Sequence, residues 1–244
     1  MKTFIIIPSR LSAIRLPGKP LLKINGLSII SHVVKKAMDA NIGEVFVAAE
    51  DQEIIDDVKK NGGQAILTNN NHKTGTDRIN EALIKIGKKD IELIMNLQGD
   101  EPLMDVNDIR NLHKQMIRTK CKLGTLASNI SDEKTYYDEN TVKVITKNEL
   151  DYSKFPEALN FVRQLSAKRE NTYHHLGIYC YQYDTLKKFV LFDQSQNEIK
   201  NKLEQLRALD NNININVAFA KTSPIGVDTM EDFVAIKRIM EYKS

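Results

Sequence analysis

Thr3-Phe4-Ile5-Ile6-Ile7-Pro8, followed by Ser9-Arg10 and then by Arg15-Leu16-Pro17-Gly18-Lys19, decides how the rest of the chain is read. The apolar run lacks the length and cleavage site of a secretory signal, so it reads as a buried strand delivering a basic loop. Further apolar stretches at residues 44–49, 64–67 and 91–97 alternate with helix-like segments, the pattern of βαβ units around a parallel sheet. Ile29, Ile30, Val33, Val34, Ala37 and Met38 recur at helical spacing behind Ser28 as a cap. Asp51 and Asp105 are candidate caps for two more helices, one carrying Ile54, Ile55 and Val58, the other Ile109, Leu112 and Met116. Gly62 and Gly63 end the first of these.

From about residue 123 the rhythm changes to strand-like stretches at 123–130, 142–146 and 176–183 with irregular polar sequence between them. A helix through Leu203, Leu206 and Leu209, a strand at 213–220 and a last helix carrying Phe233, Ile236 and Ile239 restore the α/β style. The expectation is one α/β domain over residues 1–244, with a mainly parallel central sheet and a small lobe inserted at about 123–200.

Composition narrows the function. Hydrophobic content of 41% with 27% charged residues is that of a globular protein, and no apolar run approaches the ~20 residues of a membrane span. Cys121 and Cys180 match no metal or redox spacing and are too few for a disulfide framework, which fits a reducing cytoplasm. The net charge of +3 is small and the lysines are scattered, so no nucleic-acid partner is expected, while a basic site for an anionic metabolite remains open.

In open α/β sheets, ligands bind beyond the carboxyl ends of the strands, where the 8–19 segment begins. Arg10, Arg15 and Lys19 bring three positive charges there, and Gly18 lets backbone NH groups approach an anion. The pattern is neither G-x-G-x-x-G nor a Walker loop, and on spacing alone it reads equally well as a solvated basic turn. Asn96-Leu97-Gln98-Gly99-Asp100-Glu101-Pro102 follows a strongly apolar strand and puts Asp100 at its end, a suitable place for Mg²⁺, a hard cation that takes carboxylate and phosphate oxygens. Gly226-Val227-Asp228-Thr229 offers Asp228 as a second carboxylate; alone, Asp100 also reads as a turn acid and Asp228 as a helix cap.

The strings Ile7-Pro8-Ser9-Arg10, Arg15-Leu16-Pro17-Gly18-Lys19-Pro20-Leu21, Gln98-Gly99-Asp100-Glu101-Pro102 and Gly226-Val227-Asp228-Thr229 together resemble the cytidylyltransferases that activate 3-deoxy-manno-octulosonate (Kdo), and more loosely the CMP-sialic acid synthetases. The resemblance covers nearly the whole chain. It implies a Rossmann-like nucleotide-diphospho-sugar transferase fold with a dimerising lobe. It also implies transfer of CMP from CTP to the anomeric hydroxyl of a 3-deoxy-2-ulosonic acid, Kdo first, for lipopolysaccharide or capsule synthesis. Asp100 and Asp228 would bind Mg²⁺. Arg10, Arg15 and Lys19 would hold the triphosphate, joined in the CTP site by Gln98 and by Thr74, Gly75 and Arg78 of His72-Lys73-Thr74-Gly75-Thr76-Asp77-Arg78. That segment also reads as a helix start capped by Thr74 or Thr76.

His174-His175-Leu176-Gly177-Ile178-Tyr179 and Leu203-Glu204-Gln205-Leu206-Arg207 are similar to the family's sugar-binding strings, which adds His175, Tyr179, Glu204 and Gln205 to Gln98 as sugar contacts. On a strand His174 and His175 point to opposite faces, making them poor joint metal ligands. Three features depart from the family pattern. Ala13-Ile14 stands where Ser-Thr is common, Lys154 where an arginine follows Phe-Ser, and His174 where a basic residue precedes the His-Leu-Gly-Ile-Tyr string. Lys154, the remaining sugar-side candidate, cannot grip a carboxylate bidentately as arginine does, which leaves 8-amino-Kdo or another nonulosonic acid as alternative substrates. A non-catalytic sugar-nucleotide-binding protein is the more distant alternative. A homodimer is implied by the resemblance alone.

Overall fold

A computed structural model describes residues 1–12 and 15–242, so the Ala13-Ile14 departure lies outside the described residues. The chain forms two compact units, one of residues 1–106 with 224 onward, the other of residues 107–223. The expected lobe at about 123–200 falls within the second.

The first unit begins with β1 (Thr3–Ser9), whose Phe4, Ile5, Ile6 and Ile7 are all fully buried, as a strand covered on both faces requires. A two-stranded ribbon, β2 (Lys23–Ile24) with β3 (Leu27–Ser28), leads into α1 (Ile29–Ala40). Ser28 caps that helix by accepting from the Ser31 amide at 3.2 Å. Then follow β4 (Glu44–Ala49), α2 (Gln52–Lys60), β5 (Gln64–Leu67), α3 (Gly75–Ile86) and β6 (Leu93–Asn96). The strands pair in the order β6-β1-β4-β5, all parallel, with Ile6 opposite both Asn96 and Phe46. Their carboxyl ends therefore release residues 10–19, 50–51, 68–75 and 97–101 at one edge of the sheet.

Asp51 precedes α2 but makes no capping bond there; its Oδ2 accepts instead from the Leu11 amide at 2.7 Å. The expected cap is thus a tether for the basic loop.

The second unit opens on α4 (Val106–Thr119), which starts directly after Asp105 as expected. It continues through β7 (Leu123–Ser128), α5 (Glu133–Tyr137), β8 (Lys143–Thr146), β9 (Ala158–Val162), β10 (Thr172–Gln182), α6 (Tyr183–Phe189), α7 (Gln196–Asn201), α8 (Leu206–Asp210) and β11 (Ile215–Phe219). β11 pairs parallel with β7, while β7–β10, β10–β8 and β8–β9 are antiparallel. The expected helix through Leu203, Leu206 and Leu209 is shorter than its periodicity implies. Lys202 turns left-handed (φ 53°) and ends α7, so Leu203 lies in the link before α8.

The chain returns to the first unit in α9 (Met230–Tyr242). Buried Ile236 joins Val227, Leu16, Ile24 and Ile29 in one apolar cluster. Leu16 thereby anchors the middle of the basic loop beside the Asp228 segment. The architecture is mixed α/β with a mainly parallel sheet, as the alternation of elements predicts. Among the described residues no helix is long and apolar enough to cross a membrane.

Candidate active site

An open cleft of about 430 Å³ in the first unit collects Arg10, Arg15, Lys19, Thr74, Gly75, Arg78, Gln98, Asp100 and Asp228. All the residues expected to handle the nucleotide and the metal, spread over more than two hundred positions, therefore share one wall system. Ser9, His72, Lys73 and Gly99 also line it.

The basic loop is held from within. Gly18, at φ +73°, makes the left-handed turn that other residues resist, and its amide donates to the Leu11 carbonyl at 3.0 Å. The Lys19 amide donates to the Leu16 carbonyl at 3.2 Å. These two amides are spent on the loop itself, so neither is free to serve an anion. Toward the cleft the loop presents the side-chain charge of Arg10, Arg15 and Lys19.

Two of these three cations are already engaged. The Lys19 ammonium donates to Asp100 Oδ2 at 2.5 Å, to the Val227 carbonyl at 2.8 Å and to Asp228 Oδ1 at 3.2 Å, and Arg15 pairs with Asp228 Oδ2 at 2.9 Å. Burial works against the charge on Lys19, but Asp100 and then Asp228 outweigh it and hold its pKa above the ordinary lysine value. Three oxygens from segments far apart in sequence thus converge on one cation. This is the donor set a hard divalent ion takes, two carboxylates and a carbonyl, with water and phosphate completing its shell. Among the described residues no cluster of three or more His, Cys, Asp or Glu side chains forms a self-sufficient metal site. A cation here would depend on oxygens from its substrate.

Glu101, next to Asp100, is the residue that sequence reading passed over. Burial, reinforced by Asp100 and Asp228 and opposed by Lys19, pushes its carboxyl up to about 8, so it is mostly protonated at neutral pH. Its Oε2 has no hydrogen-bond partner among the described residues.

On the opposite wall, Thr74 caps α3 by accepting from the Asp77 amide at 3.2 Å, which uses a lone pair and not the hydroxyl hydrogen. Capping and ligand binding are compatible at this position. A Cβ on Gly75 would come within 3.2 Å of Pro8 Cγ, so the glycine lets α3 start against β1. Arg78 is only 3% exposed, and donates to Thr68 Oγ1 at 2.7 Å, to the Asn69 carbonyl at 3.2 Å and to Glu50. Glu50 also accepts from the Ser12 hydroxyl at 3.3 Å, linking Arg78 to the basic loop. His72 bonds to Glu81, which accepts as well from the Asn69 amide at 2.9 Å. Burial pushes Glu81 up, but hydrogen bonds from Lys85, His72 and Asn69 prevail and bring it down to about 2.

The sugar-side candidates other than Gln98 belong to the second unit. His175 is buried, with its ring 5.5 Å from Tyr179 and 4.9 Å from Phe161. Its Nε2 lies 3.0 Å from Thr125 Oγ1, whose hydroxyl faces the carbonyls of Ile178 (2.7 Å) and Leu176 (3.3 Å) across the β10 bulge. A carbonyl only accepts, so the one hydroxyl hydrogen is committed and Thr125 accepts from His175 Nε2–H. Burial, with His174 adding, lowers His175 to about 3 and keeps it neutral. Enclosure also pushes the Tyr179 phenol well up, with Tyr181 and Glu204 contributing. Gln205 is buried, and Glu204 stands 3.8 Å from Arg207, which is itself bound to Glu198 in a buried pair. Lys154 is tied into its own turn by Asp151 at 2.9 Å and Glu149 at 3.1 Å. His174, on the other strand face, bonds to Ser223 Oγ at 2.6 Å.

A family model described as Cytidylyltransferase matches residues 4–215. The 3-deoxy-manno-octulosonate cytidylyltransferase of Rhodopseudomonas palustris (strain BisB18) is 39% identical over 99% of this chain and 98% of its own. That of Bartonella tribocorum is 38% identical over 98% and 99%. A solved structure of CMP:2-keto-3-deoxy-manno-octonic acid synthetase complexed with CTP covers 100% of both chains at 33% identity, with a TM-score of 0.90. A nucleotidyl transferase from Methanothermobacter thermautotroptrophicus, 13% identical over 100% of this chain and 99% of its own, shares the fold at a TM-score of 0.63. Full-length likeness of this degree, on a chain whose nucleotide-type residues converge on one cleft, makes it a member of the 3-deoxy-manno-octulosonate cytidylyltransferase family.

Proposed function

We propose that the chain transfers CMP from CTP to the anomeric hydroxyl of Kdo, releasing pyrophosphate. One observation carries this reading: a single cleft gathers the basic loop, the base-side segment and two aspartates in a chain 39% identical to a Kdo cytidylyltransferase over 99% of its length. In the reaction the hydroxyl oxygen forms a bond to the α-phosphorus, the bond to the bridging α,β-oxygen breaks, pyrophosphate takes the electron pair and the hydroxyl proton is lost.

Arg10, Arg15 and Lys19 bind and orient the triphosphate, offsetting charge as the leaving group separates. Thr74, Gly75 and Arg78 face the cytidine, and Gln98 serves both substrates. His175, Tyr179, Lys154, Glu204 and Gln205 are the sugar-side residues, with neutral His175 acting as a hydrogen-bond partner and not as a charge. Asp100 and Asp228 hold Mg²⁺ in this reading, and the ion when bound favours ionisation of the hydroxyl and neutralises phosphate charge. Formation of a homodimer and residence in the cytoplasm accompany the proposal.

A panel experiment tests it. With CTP and Mg²⁺, pyrophosphate release should be fastest with Kdo and negligible without an acceptor. Faster turnover of 8-amino-Kdo or a nonulosonic acid would reassign the substrate, and release with no acceptor would discard transfer altogether.

A further inference from the structure

The Lys19 ammonium has three hydrogens, and three oxygens surround it, Asp100 Oδ2 at 2.5 Å, Val227 O at 2.8 Å and Asp228 Oδ1 at 3.2 Å. Its donor capacity is filled by the groups read above as the cation site. Arg15 covers the other oxygen of Asp228 at 2.9 Å. Two positive side chains therefore rest on two carboxylates, and all four groups line the same cleft. The Lys19 side chain is 15% exposed and Asp100 29%, whereas Arg15 is 63% exposed, so the lysine contacts are shielded and the arginine contact is a weak surface pair.

These contacts conflict with the tasks of the same residues in turnover. Lys19 cannot give all its hydrogens to Asp100, Val227 and Asp228 and also donate to a phosphate. A divalent ion cannot take the Asp100 and Asp228 oxygens while an ammonium lies 2.5 Å from one of them. We propose that Lys19, assisted by Arg15, is the built-in counter-ion of the Asp100–Asp228 site, so that divalent cation and triphosphate enter by exchange: the triphosphate draws the two basic side chains off the aspartates as the metal takes their place. The inference rests on the reading of Asp100 and Asp228 as the metal carboxylates. Its consequence is reciprocal coupling, in which each ligand improves the binding of the other by removing that ligand's internal competitor.

The test measures binding without turnover. Mn²⁺ is titrated into the protein with no nucleotide present, free Mn²⁺ being followed by its EPR signal. Lys19→Met should bind Mn²⁺ about tenfold more tightly than the wild type, within the usual range of coupling. Arg10→Met removes a cleft cation that forms no ion pair with either aspartate among the described residues, and should change little. Unchanged affinity in Lys19→Met, or equal gains in both variants, would overturn the proposal, the second because it would reveal only a general field. A second measurement uses Asp228→Asn, whose parent side chain is 46% exposed. In EDTA this variant should bind CTP several-fold more tightly than the wild type, because its basic residues are released; equal binding would overturn the exchange. Asp100→Asn separates the two levels of inference. If it binds Mn²⁺ as the wild type does, the metal reading itself fails; if it loses Mn²⁺ while Lys19→Met is unchanged, only the counter-ion proposal fails.

Discussion

Arg78 and Glu50 form a buried ion pair, their side chains 4% and 11% exposed, between the end of β4 and the first turn of α3. Two hydrogen bonds to Thr68 and Asn69 hold the rest of the guanidinium. Removing one partner of such a pair leaves the other charge buried and unpaired, so Glu50→Ala should lower stability by about 3–5 kcal/mol. Urea denaturation measures it. A loss near zero would show that water or a neighbouring group replaces the carboxylate. Because Glu50 also accepts from Ser12, weaker CTP binding should accompany the loss.

Glu81 links pH to stability. Its carboxyl lies near 2 in the folded chain against 4.5 ordinarily, under hydrogen bonds from Lys85, His72 and the Asn69 amide that outweigh burial. A depressed carboxylate stabilises the fold at pH above its unfolded value, and that contribution is lost as pH falls from about 4.5 toward 2. Glu81→Gln should therefore be less stable than the wild type at pH 7, with the gap closing in acid. A gap that stays constant from pH 7 to pH 3 would contradict the assignment.

His175 should behave as a neutral hydrogen-bonding group. Its imidazole, lowered to about 3 by burial and by His174, should show no protonation in ¹⁵N NMR between pH 8 and pH 5, with Nε2 carrying the hydrogen that Thr125 accepts. A titration near the ordinary value of 6.5 would exclude this. Thr125→Val removes the acceptor and should disturb the tautomer signal while leaving the nucleotide cleft residues untouched.

The elements legible in the sequence were those with long or strongly periodic signals. β1, β4 and β6 announce themselves as apolar runs and α1 as a stripe behind Ser28, and the ends of β1 and β6 bring the 8–19 loop and Asp100 to one cleft. Short pieces such as β2, β3, β9, α5, α6 and α7 carry too few residues for periodicity to register. The 203–209 repeat overstated α8 because Leu203 lies in the link that follows Lys202, the left-handed end of α7, and only Leu206 and Leu209 are on the helix.

In the site, residue types were legible but not their partners. Lys19 reads as a phosphate ligand, yet its contacts to Val227 and Asp228 span 208 and 209 positions, a distance no spacing rule covers. Asp51 reads as a helix cap because its neighbours form a helix, while its carboxylate serves a loop 40 positions away. Glu101 is displaced in acidity first by burial, which no spacing reveals, then by adjacent Asp100 and by Asp228, 127 positions downstream.

The most direct test of the account is pyrophosphate release from CTP and Kdo by Asp100→Ala, with circular dichroism confirming the fold. Asp100 lines the cleft beside Lys19, and losing the carboxylate that would hold the cation stabilising the transferring phosphate should cost on the order of a hundredfold or more in rate. The account predicts a loss of at least that order with the protein still folded; turnover near the wild-type rate would contradict it.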